Sequence, residues 1–303
     1  MKSIHITLLV MLLASVGGYS QQQPMYAQYM FNGLAINPAY AGSHGSLSLT
    51  ALSRHQWAGV EGAPTTQTLS AHSPVRNENI GLGMMIVRDN VGVTNQLSAN
   101  FIYSYKIQLA KGVLSSGLQF SLNQYKISYS KLNINNDIAF GPDDVSKVNP
   151  NFGAGMYYAS RLFYAGVSVP TLMETSVDDE NPSELLDVNR HYFFHSGYVF
   201  TLNRDLKLKP NTLIKFVDGA PLSIDLNANL LVREVIWVGV SYRSFQSLGA
   251  LFDIQVTDQL RIGYAYDFPA FSTSKGLNAS AHEFMLHYNF TFFKSKSHSP
   301  RYF

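Results

Sequence analysis

The sequence predicts an all-β chain, a transmembrane outer-membrane antiparallel β-barrel of about 14 strands, with about 12 or 16 as the neighbouring counts. Three observations predict it. Of 303 residues, 46% are hydrophobic and 13% aromatic, but only 14% are charged, roughly half the one-quarter share of a soluble domain. Apolar side chains alternate with small or polar ones in segments of about ten residues, the period of a strand with two unlike faces. Tight and long connections alternate along the chain, the asymmetry of barrels whose short turns face the periplasm. The mean hydropathy of −0.02 and the lack of an apolar run of about 20 residues after Ser20 exclude a bundle of spanning helices. The apolar content excludes disorder.

The elements follow in order. Residues 1–20 read as a secretory signal, with Lys2, an apolar run Ile6–Val16 and then Gly18-Tyr19-Ser20, cleaved after Ser20. That run is too short for a retained anchor helix. Residues 21–45 are polar and aromatic without period two, and form an N-terminal segment expected at the periplasmic mouth, where it plugs or lines the lumen. Within it Tyr26, Tyr29, Met30 and Leu34 suit one face of a short helix ended by Gly33 or by Asn37-Pro38. The barrel occupies residues 46–293, and a C-terminal tail 294–303 follows.

Strands are expected near 46–54, 66–73, 79–88, 93–107, 112–126, 150–159, 161–169, 191–202, 206–217, 221–232, 234–243, 246–256, 259–268 and 281–293. Leu222, Ile224, Leu226, Ala228, Leu230 and Val232 share one face, opposite Ser223, Asp225, Asn227 and Asn229. Likewise Phe284, Leu286, Tyr288, Phe290 and Phe292 oppose Glu283, Met285, His287, Asn289 and Thr291. Tight links at Lys111, Ser160-Arg161, Asn203-Arg204-Asp205, Arg233-Glu234 and Thr257-Asp258 follow even-numbered strands. The long links 55–65, 127–149, 170–190 and 269–280 follow odd-numbered ones. The even-side link 74–78 and the short odd-side turns at Asp89-Asn90 and Arg243-Ser244 depart from this rule. Both termini are then expected in the periplasm.

Tyr103, Tyr105, Tyr157, Tyr158, Tyr264, Tyr266 and Phe268 near strand ends suit an interfacial aromatic girdle. Gly81 with Gly83, Gly153 with Gly155, and Gly263 lie on inward faces. Glycine weakens a strand, so its repetition there suits either a segment approaching the inner wall closely or relief of barrel curvature. Acidic residues crowd two long loops, at Asp137, Asp143 and Asp144 and at Glu174, Asp178, Asp179, Glu180, Glu184 and Asp187. They suit a divalent-cation or basic-partner surface on the cell exterior or, since no calcium-ligand spacing is present among them, solvated loops.

Enzyme signatures fail on geometry. His282-Glu283 with His287 resembles a zinc-protease motif, but on a strand the two histidines face opposite sides. His191 and His195 share a face, yet four strand residues separate them by about 13 Å, too far for one metal. No phosphate loop or nucleophile elbow occurs. No catalytic residue, metal site or cofactor is therefore assigned. Zero cysteines exclude disulfides and thiol catalysis, and 22 basic against 20 acidic residues with no basic block exclude a nucleic-acid partner.

Several blocks resemble a known family. They are Pro24 to Asn32, Ile36-Asn37-Pro38-Ala39-Tyr40-Ala41-Gly42, the Arg54-His55-Gln56-Trp57 corner with Gly62-Ala63-Pro64-Thr65-Thr66-Gln67, and Ser299-Pro300-Arg301-Tyr302-Phe303. Over essentially the whole mature chain the sequence resembles the PorP/SprF family of type IX secretion system membrane proteins. The resemblance implies a non-enzymatic outer-membrane barrel of a Gram-negative bacterium that works with the type IX export and gliding machinery. It implies partners in that machinery and in a secreted surface adhesin or its C-terminal sorting domain, besides outer-membrane lipid. Two other readings stand beside it: a pore or hydrophobic-substrate transporter with an N-terminal hatch, and an outer-membrane hydrolase with a triad assembled in space. The candidate partner or plug residues are Tyr26, Tyr29, Asn32, Asn37 and Tyr40, with Trp57 on a long outward loop as an anchor. These residues suit closure of the barrel as well as partner contact.

Overall fold

A computed structural model describes residues 25–75, 78–131, 144–176, 187–244, 247–269 and 280–290. The expected signal, the C-terminal tail and most of the acidic loop residues lie outside the described residues. The strands are β1 (Leu47–Gln56), β2 (Thr65–Pro74), β3 (Ile80–Val91), β4 (Thr94–Leu109), β5 (Gly112–Ile127), β6 (Val145–Ala159) and β7 (Phe163–Val169). They continue with β8 (His191–Tyr198 and Phe200–Thr201), β9 (Leu206–Val217), β10 (Ser223–Val232), β11 (Ile236–Arg243), β12 (Ser247–Gln255), β13 (Leu260–Pro269) and β14 (Ala281–Phe290). The two parts of β8 pair with β9 in one register, Gly197↔Asn211 and Phe200↔Leu208. In that register the two residues without a β9 partner, Tyr198 and Val199, lie opposite Pro210 and Lys209, and Pro210 has no N–H to give the ladder. Each strand pairs antiparallel with its neighbours in sequence, and β1 meets β14 from Leu47↔Phe290 to Gln56↔Ala281. The sheet is therefore a closed barrel of fourteen strands.

Side-chain parity sorts the two faces as the period predicts. On β10, Ser223, Asp225, Asn227 and Asn229 are buried inside while Leu226 is exposed outside. On β14, Glu283, Met285 and His287 point in and Phe284 and Leu286 point out. Apolar residues on the outer face are not buried by protein; Val240, for example, is 63% exposed. On β5 the outward apolar positions run from Leu114 to Leu122, about 27 Å along the strand, or roughly 20 Å of height at the usual tilt. That approaches the roughly 25 Å apolar band of such barrels. No helix among the described residues is long and apolar enough to cross a membrane; the crossing is made by strands.

Four local expectations are corrected. β6 begins at Val145 rather than near residue 150, because β7 pairs only with Ala154–Ala159 and leaves Pro150 on a stretch with a single neighbour, where proline is tolerated. The β3–β4 turn falls at Gly92-Val93, where Gly92 supplies φ +57°; Asp89 and Asn90 stay in the ladder opposite Gln96 and Asn95. Tyr157 is not in the outer girdle but buried inside, since alternation from the outward Met156 turns it to the lumen. The described residues 25–45 of the N-terminal segment make no α-helix. They form three single 3-10 turns, Tyr29–Phe31, Gly33–Ala35 and Pro38–Tyr40, separated by Asn32 and by Asn37, whose extended φ −135° and ψ 117° is what a following proline imposes.

Candidate functional site: the occupied lumen

The interior is filled by residues 25–45 of the same chain. This corrects the expectation that the segment sits at the short-turn mouth. Tyr26, Ala27 and Gln28 contact Thr68, Arg243 and Glu283, all in the halves of their strands nearer the long-loop rim. Gly42 contacts His72 and Lys106, near the short-turn rim. The segment thus descends the lumen from one side to the other before β1 starts. Adjacency to β1 in sequence fixes only its last residues, and some twenty residues are long enough to reach the far rim.

Five charged side chains hold its upper part. The Glu283 carboxylate, 0% exposed, accepts the backbone N–H of Ala27 and of Gln28, each at 2.8 Å, and a 3.1 Å bond from Arg54 Nη1. Arg54 Nη2 donates to Asp267 at 2.7 Å. Arg243 Nε donates to Asp225 at 2.9 Å, and its Nη2 reaches the Tyr26 carbonyl at 3.4 Å. Two guanidiniums thus face three carboxylates, and the peptide N–H groups of the segment supply the donors that are missing. A buried carboxylate without such partners is costly, so segment and wall complete one another.

Below this, the Lys209 ammonium and the Arg261 guanidinium lie 5.2 Å and 5.1 Å from the centre of the Phe31 ring, with Trp237 edge-on at 5.6 Å. Cations over the ring are attracted by its quadrupole, more strongly where water is excluded. Tyr29 and Met30 bury in the same apolar cluster with Leu213, Leu251 and Met285.

Asn37 fixes the lower part. Its Oδ1 accepts the Ala39 N–H at 2.9 Å and caps the Pro38–Tyr40 turn. Its Nδ2 donates to the carbonyls of Met156 at 2.9 Å and Val167 at 3.2 Å, and to His195 Nε2 at 3.2 Å. Ser168 donates to the Ile36 carbonyl and Ser104 to the Ala41 carbonyl, both at 2.8 Å. The Lys106 ammonium caps the Gly42 carbonyl. Tyr40 packs edge-on against Tyr157 at 5.5 Å.

The glycines explain how the segment comes this close. A β-carbon on Gly81 would meet Ala41, one on Gly117 the backbone of Pro38 and Ala39, one on Gly155 the Asn37 amide, and one on Gly263 the Gln28 amide. Close approach thus accounts for three of the sequence-singled glycines. Gly153 instead faces the backbone of Pro170, and Gly83 has only ordinary contacts from 3.4 Å outward.

Of the sequence-selected residues, Tyr26, Tyr29, Asn32, Asn37 and Tyr40 come together as one buried column, with Asn32 accepting a 3.4 Å bond from Ser70. Trp57 stands apart, 43% exposed on the β1–β2 link at φ +52°. The sequence reading missed the wall's half of the site: Arg54, Asp225, Arg243, Asp267 and Glu283, with Lys209 and Arg261. Parity placed several of them inward, but nothing local shows that Arg54 meets residues more than 200 positions away. Asp225, Asp253, Asp267 and Glu283 are buried inside the barrel. At the long-loop rim, Asp144 accepts the Ser130 N–H at 3.2 Å, which holds its carboxyl below the usual carboxylate range. Among the described residues no group of three or more His, Asp or Glu is placed to hold a metal.

Comparison with known proteins agrees with this architecture. A TodX deltaS2S3 mutant, a monoaromatic hydrocarbon channel, superposes with a TM-score of 0.52 at 10% identity, covering 91% of this chain and 97% of that one. The outer membrane protein Omp33 of Acinetobacter baumannii gives 0.48 at 10% identity, over 82% of this chain and 100% of that one. At such identities the likeness concerns the fold alone. No curated protein matches the chain. The model of one family, however, matches residues 18–288, nearly the whole chain and including the plug. The protein is therefore a barrel of the outer-membrane kind and belongs to the PorP/SprF family of type IX secretion system membrane proteins.

Proposed function

We propose that this chain is a non-enzymatic, self-plugged partner barrel of the type IX secretion and gliding system. It holds, or helps export, a secreted surface adhesin or the C-terminal sorting domain of one. The observation that carries the reading is the lumen itself, occupied from the long-loop side to the short-turn rim by residues bonded to the wall at every level. A diffusion pore needs that space open. With the interior taken, the rims are the surfaces left for partners. Tyr26, Tyr29, Asn32, Asn37 and Tyr40 then act as the internal closure, and Trp57 on its exposed link as the partner anchor. In this reading the signal is removed after Ser20, outer-membrane lipid surrounds the apolar band, and the short turns face the periplasm. The family supports the machinery as partner.

Deleting the gene tests the reading. Loss of adhesin display at the cell surface, restored by the wild-type gene but not by a Trp57→Ala copy expressed at the same level, is the expected result. Normal display in the deletion strain would refute it. Purified barrel in liposomes is expected to be electrically silent, and steady conductance or hydrocarbon uptake would favour the hatch-gated transporter instead. Lipid or peptide turnover by the pure protein would favour a hydrolase.

A further inference from the structure

We infer that the lower end of the plug is held by a histidine latch that opens on acidification. Three imidazoles converge where the segment leaves the lumen: His44 of the segment, His72 of β2 and His287 of β14. Their ring centroids lie 5.0 Å apart for His44 and His72 and 5.3 Å for His44 and His287.

The hydrogen bonds define the protonation each ring needs. The Gly42 N–H donates to His72 Nδ1 at 3.0 Å, so that nitrogen must carry no proton. Ser48 donates its hydroxyl to Asn289 Oδ1 at 2.5 Å. Ser48 Oγ is therefore the acceptor in its 2.7 Å contact with His44 Nδ1. That leaves His44 Nε2, when the ring is neutral, to accept the Tyr40 hydroxyl at 3.0 Å. The seated segment thus uses the neutral form of His72 as the acceptor for its own Gly42 and pairs its Tyr40 hydroxyl with His44. His287 Nδ1 pairs with Thr50 Oγ1 at 2.8 Å.

The charged groups that act on His72 are His44, His287 and Lys106, and those on His287 are His44 and Arg261. All of them are bases. The Lys106 ammonium already caps the Gly42 carbonyl, with Glu78 acting on it from the β2–β3 link. Protonating His72 removes the acceptor of Gly42, and each added charge repels the other bases, whereas a charged His44 keeps the Tyr40 oxygen as its acceptor. The sign follows directly: the latch is closed with the rings neutral and weakens as pH falls through their titration. The upper part of the plug is held instead by peptide N–H groups and guanidiniums on carboxylates.

The chain contains no cysteine, so a nitroxide can be placed on a Ser43→Cys variant of the otherwise native barrel. Its mobile spectral component is expected to rise at least about threefold between pH 7.5 and pH 5.0 and to fall again on return, the window in which imidazoles titrate. Heat-modifiable gel migration, read in parallel, is expected to show the barrel intact throughout. In a His44→Gln/His72→Gln/His287→Gln background the acid response is expected to vanish. Should that variant not fold, the single His72→Gln change is expected to cut the response at least about twofold. A spectrum of the parent Ser43→Cys protein that does not change between the two pH values overturns the latch, as does an undiminished response without the histidines. Neither result bears on the adhesin partnership, which the latch does not require.

Discussion

Replacing Glu283 by alanine tests whether the carboxylate holds the plug. It receives two peptide N–H bonds from the segment and one from Arg54. Hydrogen bonds to a charged group contribute about 1.5–3 kcal/mol each. Losing the two that reach the plug therefore lowers the free energy of lifting its upper part by about 3–6 kcal/mol. Arg54 keeps its 2.7 Å bond to Asp267, so the wall itself loses less. At about 1.4 kcal/mol per decade, opening becomes roughly 10²- to 10⁴-fold more frequent. Amide hydrogen exchange of residues 26–31 reads this directly, while residues 36–42, held by Asn37 and the serines, serve as the internal reference. Glu283→Gln is expected to fall between, because its oxygen can satisfy one N–H while its NH₂ meets another donor. Equal protection of residues 26–31 in wild type and Glu283→Ala, in a barrel that still migrates as folded, would refute the reasoning.

The remaining predictions concern the wall, the lower plug and the lipid face. Gly117→Ala puts a methyl into the backbone of Pro38 and Ala39 and is expected to destabilise the barrel by about 1–3 kcal/mol in urea titration, whereas Gly83→Ala, with contacts at 3.4 Å and beyond, should stay within about 0.5 kcal/mol. Asn37→Ala loses a cap and the donor to two main-chain carbonyls, a loss of about 2–3 kcal/mol by the same titration. Leu226→Arg, an outward position in the apolar band, is expected to cost about 2–4 kcal/mol in folding into bilayers, with no comparable penalty in refolding into detergent micelles whose surface the side chain can reach.

The strands were legible because a membrane wall has only two environments, and period two reports both. On β10 every assignment from Ser223 to Asn229 could be read from alternation alone. Boundaries failed where a turn-forming pair was tolerated inside a ladder, as at Asp89-Asn90, or where a proline sat beside a single neighbour, as at Pro150. The plug was half legible. Its composition marked residues 21–45 as different, and inward glycines announced a close visitor, but the 3.6-residue spacing of Tyr26, Tyr29 and Met30 suggested a helix. A helix buries one face, whereas here residues 26–34 are buried on all sides, so periodicity carries no information about their conformation. Single 3-10 turns then follow from Asn32, Gly33 and Asn37-Pro38, which interrupt any longer helical ladder.

The charged wall was the least legible part, and the reason bears on the scarcity of charge in the whole sequence. In a soluble protein, charge lies mostly on the surface and tolerates poor pairing. In this barrel the lipid face admits almost none, and inward charges are buried once the plug is seated, so most are paired across the ladder or with the plug, although neither carboxylate oxygen of Asp253 has a hydrogen bond. Arg54 finds two such partners on strands at the other end of the chain, and Glu283 finds two on the N-terminal segment. Three carboxylates against two guanidiniums would leave an empty lumen under-supplied with donors at the level of Glu283. The peptide N–H groups of Ala27 and Gln28 make up the deficit. The low charge content is thus a property of barrel and plug together: the wall carries the charges that this segment completes.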